Sequence, residues 1–445
     1  MRYKNLLLSI FFVFIALRPQ ARAGEFLNQH LPSYLKADIE YRYRLEYKNN
    51  FDFDKGKDDT DAYNLFRTRV NLNYSPLKPI SFFIQTQDAR VSNLSAGAKS
   101  LMENFWDIRQ LYARYENAVL LDVAGLNKLY FQAGRQEFLY GAQRLIGGFD
   151  WSNVAQTFDG GKAGFHFAPF HLQLDIFAGD KAAIKSPREA DDLFDGSSKD
   201  RVYAYYATAR AFHETLIENY FIHRTTWENI SFGPNGSGEV DHYTFGGRLK
   251  NKLPHNFDYE IETAGQWGNF NDQAVRALMA VGILGYTFDH KWQPRLAFEF
   301  DYGSGDSNPN DKKMTTFDNL YPANHPFYGY MDLMSLQNIN DYRTTMSVKP
   351  NKKLKLQSDL HLLYLDTPKD SLYSAARTVT RTSVAGSSDV NAHVGNEVDL
   401  TADYKFNNNI NFGVGYSHLF AGGYLKDTGA NNDADFFYFQ TIISL

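Results

Sequence analysis

The chain has no cysteine in 445 residues, so it has neither a disulfide framework nor a thiolate metal site. That absence suits a chain that crosses an oxidising compartment. Beyond the N-terminus there is also no run of the ~18 uninterrupted apolar residues that a membrane-spanning helix needs. The nearest approach, 277–288, contains Gly282 and Gly285 and stops between Arg276 and Asp289. It reads as a strand rather than a buried helix. The 12 histidines are scattered singly, and no His-x-Glu, paired-His or Gly-x-Ser-x-Gly motif occurs. No metal, cofactor or nucleic-acid partner is expected, and an enzyme is the least supported class. Neither a second domain nor a low-complexity linker divides the chain.

The N-terminus carries an address. Arg2 and Lys4 precede an apolar stretch over 6–17, and Ala21-Arg22-Ala23 is an A-x-A cleavage site. Residues 1–23 are read as a signal peptide and 24–445 as the mature domain. Removing the leader takes away Arg2, Lys4, Arg18 and Arg22 and moves the net charge from -5 to -9. The mature chain is acidic, so any cationic path through it depends on local placement.

Aromatic residues make up 16% of the sequence, with 36 Phe and 29 Tyr, yet the mean hydropathy is on the polar side. Residues 39–47 show how both hold. Ile39, Tyr41, Tyr43, Leu45 and Tyr47 occupy one parity, and Glu40, Arg42, Arg44 and Glu46 the other. A strand gives this segment one apolar and one ionic face; a helix would scatter the charges. A soluble sandwich could carry such a strand too. Against lipid, however, each Arg at the midplane costs roughly 2–4 kcal/mol, so misfacing Arg42 and Arg44 would cost about 4–8.

The connections separate the two readings. Compact ones fall near 75–79, 168–171, 213–215, 251–256, 289–293, 349–353 and 406–409, with a looser one at 117–128. Long polar stretches near 49–63, 88–104, 139–157, 179–200, 226–240, 303–340, 366–393 and 421–434 alternate with them, and a shorter one lies at 268–273. This alternation predicts an all-β, antiparallel up-and-down transmembrane barrel of about 18 strands, with both termini on the short-turn side.

Three segments are similar to the alginate export family of outer-membrane barrels. The first is the Tyr-Arg-Tyr-Arg-Leu-Glu run at 41–46. The second comprises Gly134-Arg135-Gln136-Glu137, Tyr140-Gly141, Arg144-Leu145, Trp151-Ser152-Asn153 and Phe158-Asp159-Gly160. The third comprises Ser304-Gly305-Asp306-Ser307-Asn308-Pro309, Phe317-Asp318, Leu320-Tyr321-Pro322, His325, Tyr328-Gly329-Tyr330 and Asn338-Ile339. The resemblance implies a monomeric barrel in a Gram-negative outer membrane, in contact with lipid and lipopolysaccharide, whose arginine-bearing lumen passes a polyuronate outward. The family's plugging loop between the third-last and second-last strands is here only Phe406-Asn407-Asn408-Asn409, and the chain ends on Leu445 rather than an aromatic residue.

A barrel of this width encloses an aqueous channel whose wall charges set selectivity. A hairpin through 49–63 places Arg42 and Arg44 beside Arg67 and Arg69. Guanidiniums grip carboxylates bidentately and never deprotonate. The cluster is either a ladder for anions or a salt-bridge lattice, with Glu40 and Glu46 neutralising part of it. Arg248, Arg295, Arg343, Lys355 and Lys405 are further wall cations, with Glu260, Glu262, Glu299, Asp301 and Asp399 as partners. Arg135 has the outward parity of Leu129 and Phe131, but family membership and a bulge at Gly134 would turn it into the lumen. Asp306, Asn308, Asn310 and Asp311 fit an Asx-turn loop better than a calcium site. The expected function is a channel for anionic saccharides, with a general porin for small anionic solutes as the alternative.

Overall fold

The computed structural model describes residues 28–95, 101–118, 125–184, 196–211, 215–382 and 389–445; the leader and its cleavage site lie outside the described residues. The first half of the barrel consists of β1 (Leu35–Asn49), β2 (Asp61–Leu77), β3 (Ile80–Ser92), β4 (Asn104–Ala118), β5 (Leu126–Gln136), β6 (Phe158–Phe167), β7 (Leu172–Ala182), β8 (Ser197–Ala211) and β9 (Thr215–Thr226). The second half consists of β10 (Val240–Lys252), β11 (Phe257–Phe270), β12 (Gln273–Thr287), β13 (Arg295–Gly303), β14 (Ile339–Asn351), β15 (Leu354–Tyr364), β16 (His393–Lys405), β17 (Ile410–Ala421) and β18 (Ala434–Ser444). Each strand pairs antiparallel with the next, and β18 returns to β1 in register Glu40↔Ser444 and Leu45↔Phe439. The result is a closed 18-strand antiparallel barrel. Closure leaves no edge to be satisfied by water, which a lipid-embedded sheet lacks.

The parity seen at 39–47 is kept. Arg42, Arg44 and Glu46 are buried in the lumen, while Tyr47 points outward. Phe298, Met346, Leu400, Leu278 and Leu284 stand exposed on the outer surface. Tyr203, His223, Tyr243 and Trp267 stack in a row across β8–β11, as an aromatic girdle does at a membrane interface. Leu445 closes the seam in place of an aromatic residue. Its backbone exchanges hydrogen bonds with Ile39, and it packs against Ile410 and Ile443.

Short turns such as 78–79, 253–256, 352–353 and 406–409 lie at one end and long loops at the other. One connection breaks the alternation. β11 and β12 are joined by Asn271 and Asp272 alone, so the shortest loop at that end is a tight hairpin rather than a polar excursion. Two long loops, 137–157 and 304–338, turn into the barrel. Phe138, Leu145 and Ile146 from the first and Phe317, Leu320, Tyr321, Tyr328 and Met331 from the second share a core with wall residues Phe158, Phe177, Val202, Tyr206, Tyr220 and Ile222. This apolar inner patch on β6–β9 is the dry seat on which the loops rest.

Candidate lumenal constriction

The β1–β2 register places Arg42 opposite Arg67 and Glu40 opposite Arg69. Four guanidiniums this close would repel unless acceptors stood between them. The 137–157 loop supplies them. Arg42 donates to the carbonyls of Asp150 at 2.7 Å and Ser152 at 2.9 Å, and Arg44 donates to that of Trp151 at 2.8 Å. Arg67 reaches the Asp150 carboxylate at 3.0 and 3.2 Å, and Arg69 reaches it at 2.7 Å. Glu40 sits 2.7 Å from Arg67, and Glu46 sits 2.7 Å from Arg44. Partial desolvation pushes the half-exposed Asp150 carboxyl up, but Arg67, Arg69 and Arg42 outweigh it and hold the group well below the usual carboxylate range. Trp151 is sandwiched between the Arg44 guanidinium and the His325 ring, each 3.7 Å away.

The opposite arc carries the reverse charge. Glu218, Glu260, Glu262, Glu299, Asp301, Asp341, Asp359, Glu397 and Asp399 face inward from β9 to β16. Arg248 binds Glu218 and Glu260 at 2.6 and 3.0 Å, and Arg343 binds Asp359 at 2.8 Å and Glu299 at 3.4 Å. Arg144, from the same loop as Asp150, enters this arc and lies 2.6 Å from Glu260 and 3.2 Å from both Glu262 and Glu299. One loop therefore offers an acid to the basic arc and a base to the acidic arc, bridging the lumen.

The second loop locks onto the first. Gly147 donates to the Tyr321 carbonyl at 2.8 Å, Tyr321 to Leu145 at 2.9 Å and Ala323 to Gln143 at 2.9 Å. Asp318, on the same loop, is held by Arg224 at 2.6 Å and His242 at 2.8 Å. Burial pushes its carboxyl up, but Arg224 and His242 bring it well below the ordinary value. Met331 donates to Glu397 of β16 at 2.9 Å. Asp306 accepts from the Asn308 amide and Asp311 from the Lys313 amide, both at 2.9 Å, so these acids close local Asx turns.

Arg42, Arg44, Arg67, Arg69, Glu40 and Glu46 form one group, as their alternation predicts, and Arg248, Glu260, Glu262 and Glu299 form a second group across the lumen. Arg295 belongs to neither. It pairs with Asp258 at 2.6 Å beside Lys252, Lys349 and Lys355, around a 530 Å³ cavity at the short-turn end. Arg135 requires a correction. The β5–β6 register runs unbroken through Gly134↔Gly160 and Arg135↔Asp159, so no bulge reverses the phase. Arg135 has the parity of Phe131 but, unlike it, is buried, and it binds Asp159 at 2.7 and 2.8 Å near the long-loop end. Arg144, Asp150, Arg224 and Asp318 are the residues sequence reasoning missed as site residues, although Arg144 and Asp318 fall within the family-like segments.

Among curated proteins none matches the sequence. Solved structures with similar folds are outer-membrane proteins. The Pseudomonas aeruginosa protein OpdK has a TM-score of 0.60 at 10% identity, covering 92% of this chain and 98% of its own. The Pseudomonas aeruginosa protein OccK2, crystallised in complex with glucuronate, has a TM-score of 0.56 at 12% identity over 92% and 98%. A BenF-like porin from Pseudomonas fluorescens has a TM-score of 0.59 at 10% identity over 93% and 99%. At these identities the likeness concerns the fold alone. The family model described as alginate export matches residues 33–439; the chain belongs to that family and is an outer-membrane channel of a Gram-negative bacterium.

Proposed function

We propose that this channel passes anionic saccharides of the uronate class as a monomer. The observation that carries the reading is the basic arc, where Arg42, Arg44, Arg67 and Arg69 converge on a constriction inside the lumen. Guanidinium forks match the carboxylates spaced along a polyuronate. Family membership supports the class, and OccK2, a protein of similar fold, was crystallised in complex with glucuronate. Arg42 and Arg44 hold the constricting loop, Arg67 and Arg69 meet the solute, and Glu40 and Glu46 temper the local charge. Arg248, Glu260, Glu262 and Glu299 form the opposing wall, and Arg295 serves the short-turn mouth. Arg135 has no part in the path. Cleavage after Ala23 releases the mature chain, which N-terminal sequencing tests.

One observation favours a second reading, a porin for small anionic solutes: β16 and β17 are joined by the 406–409 turn alone, too short to plug the lumen from the periplasm. Planar bilayers should give anion-selective conductance that falls when Arg42, Arg44, Arg67 and Arg69 are all replaced by Ser. Liposome swelling should be faster with mono- and oligouronates than with neutral sugars of equal size. Equal rates would remove the support for a sugar-acid path. Fast passage of small anions with no oligouronate binding would favour the second reading.

A further inference from the structure

The four arginines of the basic arc do two different jobs. Arg42 donates chiefly to main-chain carbonyls at 150 and 152, and Arg44 to the Trp151 carbonyl as well as to Glu46, so they hold the loop whatever the Asp150 side chain does. Arg67 and Arg69 both reach that side chain; Arg67 also donates to the Asp150 carbonyl at 3.1 Å and, from Nη2, to Glu40 at 2.7 Å. The exposures differ accordingly. The Asp150 side chain is 58% exposed, whereas those of Arg67 and Arg69 are 1% and 8% exposed. The hosts are fixed in the wall and their guest is within reach of solvent.

The contact also has the form of a ligand site. Arg67 meets the two Asp150 oxygens with its two terminal nitrogens, at 3.0 and 3.2 Å, the fork geometry that any monocarboxylate can reproduce. Arg69 Nε is fixed by Gln87 at 2.7 Å, while its buried Nη2 has no partner among the described residues. A buried guanidinium nitrogen left unmatched costs stability unless something visits it.

We infer that Arg67 and Arg69 form a carboxylate subsite at the constriction, that Asp150 is its resident occupant, and that the carboxylate of a passing sugar acid takes the place of Asp150. This rests on the reading of the lumen as a path for anionic saccharides. The exchange leaves the charge beside Arg67 and Arg69 unchanged, so it is near balance: the solute enters without a large barrier and leaves without being trapped, as conduction requires. A neutral sugar has no group that can displace Asp150, and specificity follows from that competition. Arg42 and Arg44 keep the loop seated throughout.

The test is single-channel block by glucuronate. Asp150→Asn removes the charged competitor and should lower the half-block concentration by about tenfold, the equivalent of one charge-assisted contact. Asp150→Ser should act in the same direction with a smaller side chain. Asp54→Asn, the same change in the exposed 50–60 loop, should leave block unchanged. Heat-modifiable mobility verifies the fold of each preparation. If glucuronate blocks the wild type and both Asp150 variants equally, the inference is overturned and the proposed function stands. If glucuronate neither blocks nor crosses the wild type, the proposed function and the inference fall together.

Discussion

On β1 and β2 the lumen wall presents guanidiniums, and on β9–β16 it presents carboxylates; the same loop neutralises both. The basic arc is met mostly by carbonyl dipoles and one exposed acid, Asp150. The loop meets the acidic arc with one buried guanidinium, Arg144, shared among Glu260, Glu262 and Glu299, two of which also pair with Arg248 or Arg343 of the wall. Burial pulls the Arg144 pKa down, but Glu262, Asp301, Tyr328 and Glu299 push it well above the ordinary value. The two arcs also differ in what is left over. Among the described residues, both carboxylate oxygens of Asp301 and one each of Asp341, Glu397 and Asp399 are buried without a partner, against the Nε atoms of Arg42, Arg44 and Arg67 and Nη2 of Arg69 on the other side. From the loop the acidic arc receives one cation, beside the wall's own Arg248 and Arg343, while the basic arc spreads its contacts over several loop groups.

The comparison breaks most severely at Arg144. Arg144→Ala strands Glu260, Glu262 and Glu299 near a lost cation, and removing one partner of a buried ion cluster costs about 3–5 kcal/mol. The expected outcome is a lower thermal midpoint for the heat-modifiable band and protease cleavage within 137–157. Arg42→Ala loses charge-assisted bonds to Asp150 and Ser152, worth about 1.5–3 kcal/mol. It should loosen the same loop less, because Arg44 and Arg67 remain; larger current noise than in wild type is the readout.

Two loop carboxylates sharpen the contrast through pH. Asp370, which accepts from Thr316, Tyr373 and the amides of Asp306 and Ser371, is pushed up to about 6 by burial in spite of those bonds. A carboxyl with a raised folded pKa contributes stability that is complete below about pH 4 and is lost as the pH rises through about 6. The contact between the 304–338 and 365–392 loops should therefore be cleaved faster by protease at pH 8 than at pH 5. Asp150 has the opposite sign. Its folded pKa is depressed, so its contribution is present above the unfolded value near 4 and is lost only in stronger acid. Current noise from the 137–157 loop should be the same at pH 7 and pH 4.

The wall was legible because lipid enforces it. Period two is costly to violate when one face meets hydrocarbon, so Arg42, Arg44, Arg67 and Arg69 could be assigned to the lumen from spacing alone. At Arg135 parity and the family expectation diverge: the register keeps it in phase with Phe131, and its side chain is buried against Asp159. Loop residues obey no period, and nothing in the spacing of Arg144 and Asp150 says that they cross the lumen to opposite arcs. The available hint was that Arg144-Leu145, Trp151-Ser152-Asn153 and Phe317-Asp318 cluster inside long, supposedly polar loops. Motif density in a loop marks a segment folded into the protein, not one left in water. The short connection expected at 268–273 is there but narrower, Asn271–Asp272, because Gly268 and Asn269, which look like turn residues, are paired within β11.

The central claim is that the 137–157 loop bridges the lumen and is held from both sides. It is tested most directly by the single-channel conductance of the Arg42→Ala, Arg144→Ala double variant beside its two parents. A barrel of this strand number is wide once its loops let go. A bridge held at two ends should give small increases in the single variants and a several-fold increase in the double variant. A double variant that conducts like the wild type, with its heat-modifiable fold intact, would contradict the bridge.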